Sequence, residues 1–598
     1  MKKNIKFKFL FCLILLIAVA SCKEESKNVE ISEDKTKPNI IIIYADDLGY
    51  GEMGAYGATE LKTPNLDKLA NGGMRFTNGY ASSATCTPSR YALLTGIYPW
   101  RNKNAKILPG TAPLIIDTAQ ATIPKMLKKQ GYHTGIVGKW HLGLGSGNVN
   151  WNQRITPGPN EVGFDYSHIL AATQDRVPTV YIEDGHVVNL DPNDPIEINY
   201  QENFDGEPTG LNNPEMLKMK WHHGHNNSIV NGIPRIGFMK GGEAAKWIDE
   251  DMADYFLADA QAYVKKHKAE PFFLYYALQQ PHVPRTPHAR FVGSSGMGPR
   301  GDVIVEADWM VVEKLGNHKP AGVLRGGKYS LFEAGTRVPF VTYWKGKIKP
   351  GVSDAMISQL DLFSSLAALV DSNESTNDSK QLLNVFLGNS NDGRDEMVIE
   401  ATSRTAFRKG DWAMIPPYKG PAINKYVNIE LANAADYQLY DLNTDIEQQN
   451  NLAKSKPDKL KEMIAAYEAI RGTEELIELL TLEQLDDQIF IGQNYLAPWG
   501  RVFGGQVLAQ SLHAAYRTVP EDRIAHSMHG YFILGGNLDY PITYEVDTIR
   551  NGGSFTTRRV ISMPNIVSPE NLSTSLEQIE ALKELDPKIY QRLKMVLP

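Results

Sequence analysis

Apolar residues along this chain gather in short, nearly continuous runs. Ile40–Tyr44 reads IIIIY, His133–Val137 reads HTGIV and Phe272–Ala277 reads FFLYYA. A β-branched run without alternating polar residues, as at Ile40–Tyr44, predicts a buried parallel strand, and the other two runs predict strands of the same sheet. Between them, Thr63–Ala70, Ile123–Gln130 and Ala253–His267 carry helical patterns, the first with Pro64 at its opening turn. Val338–Trp344 predicts a further short strand. Helices alternating with apolar strands predict an α/β protein with a mostly parallel sheet.

The pattern shifts twice. Asp371–Lys380 reads DSNESTNDSK, a polar surface loop, after which Ala401–Met414 and Tyr437–Asp441 predict antiparallel strands and Pro457–Arg471 a closing helix. At Gly472 the character changes again. Glu474–Leu485 predicts a helix, Gly504–Leu512 a glycine turn opening an apolar helix, and Ile542–Ile549 and Ser554–Val560 strands. The expected organisation is a main α/β domain over 38–370, a small antiparallel subdomain over 371–472 and a separate α+β segment over 473–598. A length of 598 residues fits two to four domains.

The N-terminus stands apart. MKKNIKFKF is basic, FLFCLILLIAVA is apolar, and small residues lead to Cys22. This is an export signal rather than a stable membrane span. With Val19 three residues before Cys22, it resembles a bacterial lipoprotein signal, which implies cleavage at Cys22, acylation there, and an exported protein tethered in the periplasm or at the outer membrane through residues 23–37. The net charge of −7 and the lack of a long basic run exclude a nucleic-acid-binding surface of the usual kind.

The chain has three cysteines. Cys12 leaves with the signal and Cys22 takes the lipid, so Cys86 has no disulfide partner in the mature chain. It sits in Cys86-Thr87-Pro88-Ser89-Arg90, with Gly96 ten residues on. Pro88 suits a first helical turn and Gly96 a helix end, which puts Cys86 at a helix N-terminus. There the exposed N–H groups and the dipole favour an anion and lower a thiol's pKa. Asp46 and Asp47 follow the strand Ile40–Tyr44, where ligand sites of open α/β sheets lie.

Cys-x-Pro-x-Arg followed by Ala92-Leu93-Leu94-Thr95-Gly96 resembles the signature of the type I sulfatases. Further blocks match in order: Asp46-Asp47, Gly138-Lys139-Trp140-His141-Leu142-Gly143, Pro281-His282-Val283-Pro284, and Lys328 with Glu333, Gly335, Arg337 and Pro339. Tyr437–Leu442 and Asn451–Ala453 match the family's small C-terminal subdomain. Over residues 37–471 the resemblance implies an alkaline-phosphatase-like fold. It implies conversion of Cys86 to a formylglycine by a formylglycine-generating or anaerobic maturation enzyme. One hydroxyl of the hydrated aldehyde would attack sulfur, and the other would expel sulfate as the carbonyl re-forms. Asp46, Asp47 and the modified residue 86 would hold Ca²⁺ or Mg²⁺. Lys139 and Lys328 would contact sulfate, His141 would orient the nucleophile, His282 would meet the sulfate or the leaving oxygen, and Arg90 would anchor the helix start. The substrate would be a sulfated small molecule or glycan, with Trp221–His225 a substrate-facing loop. The same superfamily also holds phosphoester and phosphonate hydrolases, and a pocket without turnover would leave a tethered binding protein.

One departure stands out. Between the His282 and Lys328 blocks the family carries a helix and then a strand ending in Asp-Asn, which supplies further metal ligands. Here the chain passes from Glu306-Ala307-Asp308-Trp309-Met310 almost directly into the loop before Lys328. The resemblance therefore implies a deletion near 310–313, a metal site short of two protein groups, an uncovered sheet edge and impaired turnover. Asp302, Asp308 and Asn317 are the candidates to substitute. From about Leu476 the chain is similar to a bacterial acyl-CoA thioesterase with a hotdog fold, carried by Arg501–Gln510, His526–Phe532 and Arg550–Val560. Only part of a first hotdog is present, with strands after Val560 expected to be missing. That implies a fused module without the family's catalytic residues.

Overall fold

The central sheet is built from the apolar runs read above. The computed structural model describes residues 37–220, 224–311, 321–494, 502, 504–520, 523–530, 541–552 and 555–564. In chain order the sheet strands are β1 (Ile40–Tyr44), β2 (His133–Lys139), β3 (Tyr166–Leu170), β4 (Tyr181–Glu183), β5 (His186–Val187) and β6 (Phe272–Ala277), arranged in space as β1-β6-β2-β3-β4-β5. The first four are mutually parallel, with Ile42 opposite Tyr275 and Tyr275 opposite Ile136. β4 and β5 finish the other flank antiparallel.

Both faces of the middle strands are buried. Along β6, Phe273 and Tyr275 face a core with Leu93, Leu94, Met126, Leu127, Ile136 and Ile169. Phe272, Leu274 and Tyr276 face another with Val137, Phe256 and Tyr263. Helices cover the two sides: α1 (Pro64–Gly72), α2 (Cys86–Thr95), α3 (Ile123–Lys129), α4 (Met252–His267) and α5 (Pro299–Val311) are those that bear on the site. The α/β class with a mostly parallel sheet is thus observed.

β1 departs from expectation. It is an edge strand among the described residues, and Ile41 and Ile43 are 48% and 40% exposed. The physical reason lies beside it: α5 runs to Val311 and no described strand continues the sheet past β1. The run expected at Val338–Trp344 is a strand only at Phe340–Thr342, and it pairs with Met74–Phe76, outside the central sheet.

The antiparallel subdomain is a four-stranded sheet of Glu396–Ala401, Arg404–Lys409, Trp412–Ile415 and Gln438–Asp441. The helix expected to close at Arg471 runs on as α6 (Pro457–Leu480), so the boundary drawn at Gly472 falls inside a helix. The helix expected over Glu474–Leu485 ends at Leu480, and Glu483–Asp486 is instead a strand. A second four-stranded antiparallel sheet follows, closed by Ile542–Asn551 and Thr556–Pro564, with α7 (Gly504–Tyr516) packed on it around Phe490, Ala514, Tyr544 and Val546. The last strand passes Val560 and takes in Ile561, Ser562 and Met563, which the sequence placed outside the sheet. Among the described residues no helix is long and apolar enough to cross a membrane. Cys22 and the export segment lie outside the described residues.

Candidate active site

Asp46 and Asp47 leave the carboxyl end of β1. Neighbouring residues of a regular strand face opposite ways, so two carboxylates share a pocket only where the backbone turns. Asp47 makes that turn at φ 68°, a left-handed conformation that Asp tolerates better than most residues. Asp46 is held by its own N–H, which donates to the Gln280 carbonyl at 2.9 Å.

Cys86 is the first residue of α2, and Gly96 ends the helix at φ 66° with its N–H on the Ala92 carbonyl. Its thiol is buried and lies 3.5 Å from Asp46 Oδ1. Four residues on, Arg90 comes back to the same place. Its guanidinium is fully buried and donates to Asp46 Oδ2 at 2.7 Å, to the Lys139 carbonyl at 2.8 Å and to the Tyr275 hydroxyl at 3.2 Å. Lys139, at the end of β2, is also fully buried and pairs with Asp46 Oδ2. It stands beneath Asp46 rather than in the cavity wall. Asp47 has its own cation, with Lys328 Nζ at 2.7 Å. His282 Nε2 is 3.8 Å from the same carboxylate.

The protonation states follow from these contacts. Burial alone would raise the Asp46 carboxyl, but Lys139 and Arg90 overcome it and hold the group well below the usual carboxylate range. Burial also opposes the ionisation of Asp47, and Lys328 and His282 reverse that too. Burial would lower Lys328, but Asp47 and the Cys86 thiol raise it well above an ordinary lysine. Burial and Asp46 push the Cys86 thiol up, yet Lys139, Lys328 and His282 outweigh them and the net shift is downward. His141 is driven well below an ordinary histidine by burial, then by Lys139 and Arg176. It is a neutral imidazole. Its Nε2 lies 2.9 Å from the Leu108 carbonyl, which can only accept, so the proton sits there and the buried Nδ1 is left without a hydrogen-bond partner. His282 Nδ1 lies 2.7 Å from the Val283 carbonyl and donates to it, which leaves Nε2 facing Asp47 and the Cys86 thiol.

Asp46, Cys86 and His282 each place a ligand atom within 4.8 Å of the others, a constellation that can hold a metal ion. Asp302 and Asp308, the sequence candidates for further ligands, are occupied elsewhere. Asp302 accepts from the N–H groups of Gly293 and Ser295 at 2.9 Å each. Asp308 accepts from the N–H groups of Leu66 and Asn65, and so closes the start of α1. Asn317 lies outside the described residues.

The cavity over this cluster has a volume of about 1730 Å³ and takes in His141, Lys328, Tyr329, His282 and also β1 itself. Ligand sites usually measure roughly 300–1,000 Å³. β1 lines the same space. On the far wall stand Asp175 and Arg176, just past the end of β3, and His225, whose Nε2 is 3.2 Å from Asp175 Oδ2. Arg176 pairs with the same Asp175 at 2.9 Å.

Two stretches of the chain, 38–317 and 312–372, match the family model for sulfatases, and the two matches overlap at 312–317. The chain is 46% identical over 499 residues to an N-acetylgalactosamine-6-O-sulfatase of Bacteroides thetaiotaomicron, covering 77% of this chain and 97% of that protein. The chain belongs to the sulfatase family. A solved structure described under the metabolism of multiple glycosaminoglycans by the same bacterium superposes with a TM-score of 0.71 at 46% identity, over 73% of this chain and all of that one. Human arylsulfatase A is 32% identical over 368 residues, 56% of this chain and 64% of that protein. Residues 495–563 match the N-terminal domain of acyl-CoA thioesterases.

This sulfatase's alignment to its Bacteroides relative runs over 499 positions yet takes in 77% of 598 residues, fewer than it spans. Part of the relative has no counterpart here, and the family match falls into two stretches that meet at 312–317. The structure brings Asp46, Asp47, Cys86, Arg90, Lys139, His141, His282 and Lys328 to one end of the sheet. Of the predicted loop Trp221–His225, the first three residues lie outside the described set and His225 is in the wall. Asp175 and Arg176 went unread in the sequence. Their signal was positional: they follow a strand at its carboxyl end, where sites in such sheets form.

Proposed function

We propose that this sulfatase hydrolyses an O-sulfate ester on a sulfated glycan, with 6-O-sulfated N-acetylgalactosamine as its sugar. The observation that carries the reading is the meeting of Cys86, Lys328, His282 and two carboxylates in one cavity at the carboxyl end of a parallel sheet, in a chain 46% identical to an enzyme of that specificity. Once a maturation enzyme converts Cys86 to formylglycine, the hydrated aldehyde supplies a nucleophilic hydroxyl and, through its second hydroxyl, a way to release sulfate.

The chain's own residues arrange the rest. Lys328, cationic beside Asp47, gives the sulfate oxygens a fixed positive partner. Arg90 and Lys139 lie behind Asp46 and keep it ionised, so they position rather than touch substrate. His141 Nδ1 is an unprotonated nitrogen beside the cavity, and His282 Nε2 faces Asp47 and Cys86. A proton leaving the nucleophile is taken by His141 and returned to the departing alcohol. Asp175, Arg176 and His225 form the polar wall that the sugar hydroxyls would meet.

The donor set also bears on the cation. Two carboxylates and one oxygen at residue 86 fall well short of the six to eight oxygens Ca²⁺ takes, but suit a Mg²⁺ that keeps several waters. Bound there, such a cation would neutralise sulfate charge. We further read residues 1–22 as a lipoprotein signal, from the basic, apolar and Cys22 sequence alone; fatty-acid labelling that survives Cys22→Ala would end that reading.

The main test pairs mass spectrometry of the Cys86 peptide, after co-expression with a maturation enzyme, with desulfation of N-acetylgalactosamine-6-sulfate and of an aryl sulfate in Mg²⁺. Aldehyde formation with sulfate release that disappears in Cys86→Ala is expected. A chain with confirmed aldehyde that releases sulfate from neither substrate, even at high enzyme concentration, defeats the proposal.

A further inference from the structure

The carboxyl ends of the strands hold the cavity, and the opposite end of the same sheet holds a second group of metal-ligating side chains. His133 is the first residue of β2, His267 the last of α4, and Glu270 lies in the short connection from α4 to β6. Their ligand atoms all fall within 4.8 Å of one another. The His133 and His267 rings lie 4.5 Å apart, tilted by 33°, and His133 Nε2 is 2.6 Å from Glu270 Oε2.

From this geometry we infer that His133, His267 and Glu270 form a binding site for a borderline-soft divalent cation such as Zn²⁺, distinct from the cavity at Cys86. Two imidazoles and a carboxylate are ligands that Zn²⁺ accepts, with a water in the fourth position. Imidazole also selects such metals over Mg²⁺ and Ca²⁺, which prefer oxygen. Bonds of about 2.0–2.2 Å to a tetrahedral ion set ligand atoms about 3.3 Å apart. The closest pair therefore opens by less than an ångström, and the others close by no more than about 1.5 Å.

The backbone that carries these side chains is tied by hydrogen bonds. The His133 N–H donates to the Pro271 carbonyl at 3.0 Å, and His133 is in register with Phe272. The Glu270 N–H donates to the His267 carbonyl at 3.0 Å. All three groups are at least partly open to solvent, so an ion has a path in. A bound ion ties the end of α4 to the start of β2, on the side of the sheet away from substrate. It therefore acts on stability and leaves turnover alone.

The test uses the full chain in a Cys86→Ser background, so that no thiolate competes, with saturating Mg²⁺ present. Titration with ZnCl₂ followed by calorimetry, and with CoCl₂ by visible absorption, reads the site directly. One equivalent is expected to bind, with Co²⁺ bands of a four- or five-coordinate nitrogen and oxygen site and a rise in thermal midpoint. His133→Ala and His267→Ala should each weaken binding at least tenfold. Glu270→Gln, which preserves shape, should weaken it several-fold. Absence of binding in the parent, or equal affinity in all three variants with circular dichroism unchanged, overturns the assignment.

Discussion

The two flanks of the central sheet end differently. Beyond β3 the sheet closes with β4 and β5, short antiparallel strands whose Ile182 and Val187 are buried. At the other flank β1 stops the sheet with Ile41 and Ile43 open and with the cavity running along it. Yet the charged cluster draws on both sides: Asp46 and Asp47 come from the open flank, and Lys139 comes from a strand buried on both faces. The difference teaches that the cationic end of the site depends on the sheet's interior, whereas its two carboxylates depend on the open margin. An edge strand offers unpaired N–H and C=O groups and invites association. Asp46 and Asp47 stand at the end of such an edge.

The largest test repairs that flank. Grafting the Bacteroides relative's unmatched segment after Val311 should raise sulfate release from a matured chain by at least about 100-fold, because remaining charge stabilisation in the transition state is worth several kcal/mol. Aryl sulfate kcat/KM with confirmed aldehyde measures it. A grafted chain that folds and gains no rate would place the defect elsewhere. Next in size is a paired substitution. Ile169, fully buried in β3, should lose about 2–5 kcal/mol on replacement by Ala, and Ile43 in β1 less than about 1 kcal/mol. Chemical denaturation of both variants decides it, and equal losses would mean that the β1 flank is packed after all.

Much of this was legible in the sequence because the informative signals are local. Strands, helices and the Cys86 turn follow from apolar runs, Pro88 and Gly96. The cluster residues were legible through motifs, since each lies at the end of an element. What stayed hidden depends on neighbours far apart in the chain. Ile40–Tyr44 reads as a buried strand because hydrophobicity records the environment a strand was built for, not whether its partner is present. Asp302 and Asp308 read as spare ligands because a carboxylate that closes a turn or a helix start looks the same as one that binds a cation. Lys139 reads as a sulfate contact, and only the depth of Asp46 shows that it stands behind that carboxylate.

A smaller effect separates the flanks by pH. Glu306 on α5 belongs to the open side, where it accepts from Gln280 Nε2 at 3.1 Å and from the His288 N–H at 2.9 Å. Burial, only partly countered by those bonds, raises its pKa to about 7. Between its unfolded value near 4.5 and about 7 the native state therefore binds more protons than the unfolded one. Stability falls as pH rises through that window and stays lower above it. Glu306→Gln removes the ionisation, keeps an oxygen for the His288 N–H and turns an amide N–H toward Gln280, whose unpartnered Oε1 can accept it once that amide reverses. It should add on the order of 1–3 kcal/mol at pH 8 and little at pH 4.5. Asp308, also raised by burial to about 7, has the same sign, so the slope shrinks without vanishing. Denaturation midpoints at the two pH values check it, and a gain at pH 4.5 equal to that at pH 8 would refute the ionisation argument.

The smallest change in stability goes with the clearest change in behaviour. Ile41 is half exposed on β1, whose outer edge carries no described partner strand. A lysine there loses little burial, and its charge opposes strand-to-strand pairing between copies. Ile41→Lys should therefore shift the denaturation midpoint by less than about 0.5 kcal/mol while lowering self-association, seen by sedimentation or light scattering across a concentration series. The same lysine at Ile136, inside β2, should prevent folding, because a buried ammonium without a partner costs several kcal/mol. If Ile41→Lys unfolds the chain as Ile136→Lys does, then something covers β1 in solution, and the contrast between the two flanks no longer holds.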